Sequence, residues 1–363
     1  MNRAGRIDKP RRSRRTPRSV TVLLGDPRLS DDAKIENRYS AEDLEAVERL
    51  KAALAELDGY AFTYFDDHAR LIDELHDRPR GFVLNFCDTG FRNNAFRELH
   101  VPAYLEMLGI PYSGATPNAL GLCYDKSFVR AVAKAHGIPV PQEIYVSTLE
   151  TTHVLPSVFP ALVKPSTGDG SVGITQHAVV NDIAEQTACL ERLERELPGR
   201  DVLIQEFLSG TEYGVGMIGN PGIGLQALPP MEVDYSGLDP GLPKILSYES
   251  KSDPESPYWS QIKYREAKLS EGRRQRLIDW SKKLFERLGC RDYARFDYRT
   301  DRNGRVKLLE VNPNPAWCWD GKLNFMAGFA GFSYPDLLRM ILEAAEVRLG
   351  ALNPAESSRP SRG

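Results

Sequence analysis

Three oxygen-bearing side chains in the C-terminal third of the chain have the types and spacing of a metal site. Asp297 lies in the segment YARFDY, and Glu310 and Asn312 lie in LLEVN. The turn Asp301-Arg302-Asn303-Gly304 joins these segments and predicts a hairpin, because Asn-Gly tolerates positive φ. Side chains alternate along a strand, so Glu310 and Asn312 share one face and Asp297 lies roughly opposite Glu310. Two carboxylates and an amide oxygen suit Mg²⁺.

The alternative for this hairpin is a pair of solvent-facing acidic residues on a sheet edge, since exposed carboxylates are common. The neighbouring residues are mostly apolar, which is typical of core strands. A carboxylate inserted into such a strand needs a metal or a cation partner. The apolar setting therefore favours the metal site.

A glycine-rich loop, KPSTGDGSVG, runs from Lys164 to Gly173 between two expected strands. Its glycines, Gly168, Gly170 and Gly173, allow backbone N–H groups to turn toward an anion. The loop matches neither a Walker A loop nor a dinucleotide fingerprint, and a hairpin loop without function is the alternative. Lys164 favours an anion site, because a lysine that ends an apolar strand needs a negative partner.

The segment QEFLSGTE, from Gln205 to Glu212, joins the second and third blocks of the chain. An extended apolar hinge can offer backbone groups to the edge of an adenine ring, and Glu212 could accept hydrogen bonds from ribose hydroxyls. The alternative is a plain linker with a surface glutamate.

These segments need a scaffold of alternating strands and helices. Residues 20 to about 116 predict an open parallel sheet with helices on both faces. Its strands are expected at 20–25, 61–65 and 82–86, and its helices at 40–57 (with Ser40 as N-cap), 69–76 and 97–108. Further strands are expected at 161–164, 173–179, 202–207, 213–218, 225–233, 293–298 and 306–311. Further helices are expected at 126–135, 182–197, 271–288 and 334–347.

The composition excludes several classes of protein. The chain has 363 residues, 41% of them hydrophobic, with a net charge of -3, which argues against a nucleic-acid binder. No run approaches the ~18 apolar residues of a membrane span, and no secretory h-region follows the basic N-terminus. The 5 scattered cysteines form no CxxC pair, which favours reduced thiols and a cytoplasmic enzyme. Residues 1–19 are expected to be a disordered basic tail, and residues 351–363 a flexible one.

Four segments, taken in order, resemble the ATP-grasp superfamily and, within it, the D-alanine–D-alanine ligase family. They are YDKSFVRAVAKAHGIPVP, PALVKPSTGDGSVGI, LIQEFLSGTE and GCRDYARFDYRTDRNGRVKLLEVNPNP. The resemblance covers about residues 20–349 and implies a three-domain α/β architecture. An N-terminal open parallel α/β domain (20–116) would precede a central subdomain (117–210) and a C-terminal α+β subdomain (211–350). ATP would be held between the last two.

The resemblance also implies roles for individual residues. The phosphate contacts would be Lys126, Lys164 and Lys251. The adenine and ribose contacts would come from Gln205, Glu206, Leu208 and Glu212. Two Mg²⁺ ions, with Mn²⁺ as an alternative, would be bound by Asp297, Glu310 and Asn312. Arg295, on the same strand face as Asp297, would stabilise a developing oxyanion, with Lys251 and Ser171 completing the catalytic set.

The function implied is an ATP-dependent carboxylate–amine ligase. The γ-phosphoryl group would activate a carboxylate as an acyl phosphate, which an amine then attacks to give an amide, ADP and phosphate. The loop 168–173 would close over this intermediate and exclude water. The partners would be small amino or carboxylic acids, without nucleic acid or membrane, and the resemblance suggests a homodimer. The alternatives are an ATP-grasp kinase for a small hydroxylated substrate and a non-catalytic nucleotide-binding relative.

The departures from the family pattern concern the substrate. The stretch Gly25–Ser30 has no evident counterpart of the family's glutamate, and Ser252 stands where the family has a tyrosine. After Asn312 the chain reads PNPAWCWD, with Trp317 and Trp319 where the family has small residues. We therefore predict that the substrate pair is not that of an ordinary cell-wall D-alanine–D-alanine ligase. The candidate substrate-side residues are Asp88, Arg92 and His100.

Overall fold

The computed structural model describes residues 17–32, 34–77, 81–147, 158–168, 171, 173–253 and 255–352. The expected tails lie outside the described residues up to position 16 and from position 353 onward. Among the helices of the described ranges, none has the length and apolar content that a membrane crossing requires.

The first unit is a parallel sheet in the order β2-β1-β3, flanked by helices as the sequence predicts. Its strands are β1 Arg18–Leu23, β2 Tyr60–Phe65 and β3 Val83–Asn85, and its helices are α1 Ala41–Ala55, α2 Leu71–Asp77 and α3 His100–Met107. α1 begins after Ser40 because Ser40 and Asp43 form a reciprocal capping box. The expected boundary of the tail is wrong at its end, since Arg18 and Ser19 already pair with β2.

The central unit is an antiparallel sheet in the order β4-β7-β5-β6. Its elements are α4 Pro117–Tyr124, α5 Lys126–Ala135, β4 Glu143–Val146, β5 Ala161–Pro165, β6 Val179–Val180, α6 Ile183–Glu196 and β7 Val202–Glu206. The strand expected at 173–179 is wrong. Gly173 has a φ of +78°, and Thr175 caps a short 3-10 turn, so only Val179 and Val180 pair with β5.

The C-terminal unit is built on an antiparallel sheet in the order β11-β10-β8-β12-β13. Its strands are β8 Glu212–Gly219, β9 Gln226–Ala227, β10 Met231–Asp234, β11 Lys263–Glu266, β12 Asp292–Thr300 and β13 Val306–Asn312. Its helices are α7 Glu249–Ser252, α8 Pro257–Gln261, α9 Glu271–Arg287, α10 Lys322–Phe329 and α11 Tyr334–Leu352. The single strand expected at 225–233 is divided into β9 and β10, because Pro229 and Pro230 cannot donate ladder hydrogen bonds.

The two faces of β8 have different neighbours. Tyr213, Val215 and Met217 belong to the core cluster that contains the buried side of α9. On the alternate face, a Cβ on Gly216 would lie 2.8 Å from Leu323 of α10, and one on Gly214 would lie 3.5 Å from Asp297 Oδ1. Glycine at position 216 therefore allows α10 to approach the strand closely, whereas a Cβ at position 214 would be in ordinary contact with Asp297.

A buried ion network joins the first unit to the C-terminal sheet. Asp292, fully buried at the start of β12, accepts hydrogen bonds from Arg348 Nε at 2.7 Å and Nη2 at 2.8 Å. It also accepts from the backbone N–H of Gly114 at 2.9 Å and from Asn220 Nδ2 at 3.1 Å. Arg348 Nη2 donates in addition to the carbonyl of Tyr112 at 2.8 Å. Since Tyr112 and Gly114 leave the first sheet, this network sets its position against β12.

We expect the substitution Arg348→Met to lower the free energy of unfolding by about 3–5 kcal/mol, because it leaves the Asp292 carboxylate buried without its cation. Urea denaturation followed by circular dichroism measures the change. Arg339→Met, on the same helix, is the control and should cost less than about 0.5 kcal/mol. Equal losses for the two variants would contradict this account of the network.

Candidate active site

The hairpin of β12 and β13 gathers the candidate metal ligands. Asp297 pairs with Glu310 and Arg295 pairs with Asn312, as the turn spacing predicts, and a bulge follows Asp297. Asn312 Nδ2 lies 3.5 Å from Asp297 Oδ2. The two carboxylates and the amide thus lie on neighbouring strands around one point.

Two cations hold the Asp297 carboxylate, which is 3% exposed. Arg295 donates from Nε to Oδ1 at 2.9 Å and from Nη2 to Oδ2 at 3.0 Å. The Lys322 ammonium, at the start of α10, lies 3.8 Å from Oδ2. Burial and Arg295 disfavour the charged lysine, but the combined attraction of Asp297, Tyr264 and Glu212 outweighs them, and the pKa of Lys322 is raised. Lys322 lies ten residues beyond β13, and the sequence analysis did not identify it.

The donor set fits Mg²⁺ only in combination with further oxygens. No group of three or more His, Cys, Asp or Glu side chains in the described ranges could hold a metal ion by itself. Asp297 and Glu310 supply two carboxylates and Asn312 supplies an amide oxygen. Mg²⁺ typically combines one or two carboxylates with phosphate oxygens and water, and this set is of that kind.

Three buried cations lie where the glycine-rich loop meets α5. Lys126, the first residue of α5, donates through Nζ to the carbonyl of Gly168. Lys164 is 4% exposed, and burial together with the charges of Arg130 and Lys126 lowers its pKa to about 7, against the opposing effect of Glu310. Arg130 forms an ion pair with Glu143, but its terminal nitrogens make no hydrogen bond with any residue described. Such a concentration of positive charge favours an anion.

Arg130 was missed in the sequence, although its position was accessible to prediction. It lies four residues after Lys126 on a helix that was predicted with its correct ends, and residues at that spacing share a helix face. Its acidic partner, Glu143, lies on β4, an element that was not predicted.

The glycine-rich loop is attached to the segment that precedes α7. Ser171 has a φ of 63°, and its Oγ donates to the carbonyl of Leu246 at 3.1 Å. The backbone N–H of Tyr248 donates to the carbonyl of Ile174 at 2.8 Å. Gly170 lies outside the described residues, as do the side chains of Lys251 and Ser252, whose backbone belongs to α7. Their expected roles stay predictions.

The third candidate segment, which contains Gln205, Glu206 and Leu208, lines a cleft of about 80 Å³ between the central and C-terminal sheets. Glu206 forms an ion pair with Lys307, whose Nζ lies 2.7 Å from Oε2, so the charge of its carboxylate is balanced within the protein. Glu212 accepts from the Tyr235 hydroxyl at 2.8 Å and lies 3.6 Å from Arg299 Nη1.

Arg299 organises this end of the cleft and was not identified from the sequence. Its Nε donates to the carbonyl of Gly210 at 3.0 Å, and its Nη2 donates to the carbonyl of Lys244. Its guanidinium carbon lies 5.2 Å from the ring centre of Phe207 and 5.4 Å from that of Tyr235. The residue therefore ties the hinge, the 244–246 segment and Glu212 together.

Neighbouring cavities share residues and extend from this cleft toward the first unit. Glu310 lines both the cleft and the next two small cavities, and Gly168 lines those two cavities and a larger one beyond. The larger one, the substrate-side cleft, has a volume of about 420 Å³ and is lined by Asp88 and Arg92. His100 instead lines an apolar groove with Leu71, because it opens α3 on another side of the unit, so its expected place in the site is wrong.

The loop after β13 is fastened to the first unit by its two tryptophans. The Trp317 ring stacks on Phe86 at 5.8 Å between centres, and its Nε1 donates to the Phe86 carbonyl at 2.9 Å. The guanidinium carbon of Arg49, on α1, lies 4.0 Å from the ring centre of Trp319. These contacts make the loop part of the wall between the units.

We expect Lys164→Met to stabilise the unliganded protein, on the order of a few kcal/mol at pH 6. Below pH 7 the lysine is charged in both the folded and the unfolded chain, so its burial is a full cost. Between about pH 7 and its ordinary value of 10.5 the unfolded chain binds more protons, so wild-type stability rises with pH and the advantage of the variant shrinks.

Urea denaturation at pH 6 and pH 9 measures this advantage of Lys164→Met. Lys282→Met, at an exposed position of α9, is the control and should show the same small effect at both pH values. A pH-independent effect of Lys164→Met would contradict the depressed pKa.

The comparisons with known proteins agree with this geometry. The family model described as D-ala D-ala ligase C-terminus matches residues 134–343. The chain is similar to the uncharacterized protein y4sG of Sinorhizobium fredii, with 32% identity over 275 residues, covering 75% of this chain and 76% of that protein. It is 28% identical to the vancomycin/teicoplanin A-type resistance protein VanA of Enterococcus faecium, covering 77% of each. It is 29% identical to the D-alanine–D-alanine ligase of Haemophilus influenzae, covering 72% of this chain and 86% of that enzyme.

Solved structures show the same fold. The D-alanine–D-alanine ligase from Bacillus anthracis complexed with ATP superposes with a TM-score of 0.69 at 22% identity, covering 93% of this chain and 99% of that one. The VanG D-Ala:D-Ser ligase from Enterococcus faecalis gives 0.64 at 16% identity, covering 91% and 99%. At these identities the likeness shows the ATP-grasp fold alone.

Proposed function

The chain belongs to the D-alanine–D-alanine ligase family of ATP-dependent ligases, and we propose that it joins the carboxylate of one small amino or carboxylic acid to the amine of another. The observation that carries the proposal is the common face of Asp297, Glu310 and Asn312, with Arg295 paired to Asn312 on it. Lys126 and Lys164 lie at the end of the same connected cavity. Together they supply the charges that phosphoryl transfer and acyl transfer require.

The proposed metal-binding residues are Asp297, Glu310 and Asn312. Bound Mg²⁺ would offset the charge of the ATP phosphates and align them with the carboxylate to be activated. The residues of the chain do the rest of the binding. Asp297 is held by Arg295 and Lys322, and the pairing of β12 with β13 places Glu310 directly opposite.

We propose that Lys126 and Lys164 bind the transferring phosphate. Burial favours the neutral form of Lys164, so its ammonium becomes stable when a phosphate enters and supplies the missing negative charge. Lys126 is oriented at the start of α5 by its bond to the Gly168 carbonyl. The bond of Ser171 to Leu246 holds the glycine-rich loop over the cleft, where it would exclude water from an acyl phosphate.

Arg295 is the proposed oxyanion donor for the attack of the amine. It lies across from Asn312 on the metal face, and its two hydrogen bonds to Asp297 hold the guanidinium plane in a fixed direction. Preorganised donors of this kind stabilise the charge that develops on a tetrahedral intermediate. Such a donor is useful in acyl transfer and less so in simple phosphorylation.

The substrate pair is proposed to differ from two D-alanines. The large substrate-side cleft, the two tryptophans of the 313–320 loop and the absence of the family's glutamate after β1 support this. A panel of amino acids with ATP and Mg²⁺, with ADP release and product masses as readouts, tests it. If D-alanine as the sole amino acid gives a rate of ADP release equal to that of the best other substrate, the proposal that the substrates differ from two D-alanines is wrong.

We expect Asp297→Asn to lower kcat/KM at least about 100-fold in this assay, because it removes one of two carboxylates from the metal site. Asp279→Asn, on the outer face of α9, should leave the rate unchanged. Hydroxylamine added during turnover should trap the acyl phosphate as a hydroxamate, which a kinase would not form. ADP release without any hydroxamate would favour the kinase alternative.

We expect Arg299→Met to raise the KM for ATP about tenfold with little change in kcat, because a charge-assisted contact of about 1.5 kcal/mol no longer orients Glu212. The preference for ATP over 2′-deoxy-ATP should shrink in the same variant, since Glu212 would then meet the ribose less well. Arg302→Met, in the exposed hairpin turn, is the control. Unchanged selectivity for the ribose would contradict this role of Arg299.

A further inference from the structure

The substrate-side cleft has room and polarity for more than an alanine-sized molecule. Its volume of about 420 Å³ lies in the range of sites that hold small-molecule ligands. The first unit forms one wall with Asp31, Asp88 and Arg92, and the central unit forms the other with Gly168 and Arg200. Residues from two units thus face the same space.

The first-unit wall of this cleft carries both acidic and basic side chains, and the opposite wall carries Arg200. Asp31 and Asp88 lie near Lys34, and both of them, together with Asp43, contribute to the raised pKa of that lysine. Lys34 Nζ donates to Asp43 Oδ1 at 2.7 Å. The carboxylates of the first unit therefore form a shared group on one wall, suited to the ammonium of an amino acid.

Arg200 on the opposite wall makes no ion pair or hydrogen bond through its side chain with any residue in the described ranges. Its guanidinium carbon lies 4.6 Å from the ring centre of Phe96, in the first unit. Its Nη1 lies 3.8 Å from the position that a Cβ on Gly168 would occupy. A stacked guanidinium keeps its hydrogen-bonding edge for a planar anion, and arginine matches a carboxylate with two parallel N–H donors.

The position of Arg200 relates it to the reacting end of the site. Gly168 accepts the Lys126 hydrogen bond and lines the cavities that contain Glu310 as well as the cleft. A molecule whose reacting group lies near Lys126 and Glu310 would extend past Gly168 toward Arg200. An anionic group that binds Arg200 would therefore be a second group of the substrate, separate from the group that reacts.

We propose that Arg200, stacked on Phe96, binds a carboxylate of an amino-acid substrate that is not itself activated. This inference rests on the proposed function. The carboxylate comes either from the side chain of an acidic amino acid or from the α-carbon of the attacking amino acid. The chemistry of recognition is the same in both cases, and the substrates used in the test distinguish them.

The test compares wild type with Arg200→Met in the ADP-release assay, using the full chain, Mg²⁺ and ATP. Methionine keeps an unbranched apolar stem against Phe96 and removes the charge. The amine substrates are aspartate and glutamate of both configurations, their side-chain amides asparagine and glutamine, and the α-amides of all four. Each is supplied with the same donor acid from the panel, because an α-amide has no α-carboxylate of its own to be phosphorylated. Arg200→Lys restores the charge, and Arg195→Met, at an exposed position of α6, is the matched control.

In the wild type, converting the recognised carboxylate to an amide should raise KM about 10- to 100-fold, the range of a charge-assisted hydrogen bond. In Arg200→Met, the acid should have the same high KM that the amide has in the wild type. Changing the acid to its amide should then raise KM no further, because the substitution and the amide remove the same interaction. Arg200→Lys should recover part of the loss, and the KM for ATP should stay within about twofold in all variants. A loss confined to side-chain amides assigns the site to an acidic side chain, and a loss confined to α-amides assigns it to the α-carboxylate.

Two results would overturn the inference while leaving the proposed ligase intact. The first is an increase in KM from acid to amide that is the same in the wild type and in Arg200→Met. The second is a rise, in Arg200→Met, in the KM for ATP while the KM for the amino acid is unchanged. If the wild type releases no ADP with any amino acid in the wider panel, the proposed function fails and the inference falls with it.

Discussion

The arrangement of the site depends on the buried carboxylate of Asp292, which connects the first unit to the C-terminal sheet. It accepts from Arg348 on α11, from Asn220 after β8 and from the backbone of Gly114, which leaves the first unit. β12 starts at this residue and contains Arg295 three residues later and Asp297 five residues later. A buried pair of this kind adds little net stability over apolar packing, but it tolerates few alternative geometries. The first unit, which forms one wall of the substrate-side cleft, is therefore positioned against the metal-bearing strand by this carboxylate.

A second constraint is the distribution of charge along the connected cavities. At the nucleoside end, Arg299 and Lys307 are balanced by Glu212 and Glu206. At the phosphate end, Lys126, Lys164 and Arg130 face mainly Glu143 and Glu310. The pKa of Lys164 is lowered first by burial and then by the positive charges of Arg130 and Lys126. An anion that enters there relieves repulsion already present in the folded chain, so part of the binding free energy comes from the protein itself.

The sequence predicted best the features that depend on nearby residues. The turn at Asn303-Gly304 sets the register of β12 and β13, and the pairing of Asp297 with Glu310 follows from it. α5 has its expected ends because Asp125 caps its start and Gly137 follows its end with a φ of +71°. The strand expected at 173–179 failed because glycine and threonine allow an extended chain and a short turn equally well. In that case only the packing of Gly173 against Leu197 and Pro165 decides.

The residues missed in the sequence are those whose meaning comes from distant contacts. In the sequence Lys322 is an ordinary lysine at the start of a helix, and only the structure shows that it lies beside Asp297. Arg299 is likewise an ordinary arginine of a hairpin strand, and only the structure shows its contacts with Glu212 and the Gly210 carbonyl. Arg200 is an ordinary loop residue until the first unit supplies Phe96 as its stacking partner.

The metal face and the substrate-side cleft differ in how far each depends on contacts between distant residues. The metal face lies within a single hairpin, whose local register is hard to alter without loss of the fold. The substrate-side cleft is assembled from segments of separate units, among them Asp88 and Phe96 of the first unit and Arg200 of the central one. Connecting segments of this kind can change their side chains while the scaffold persists. A preserved activating chemistry combined with a different acceptor pocket is therefore the outcome that this architecture favours physically.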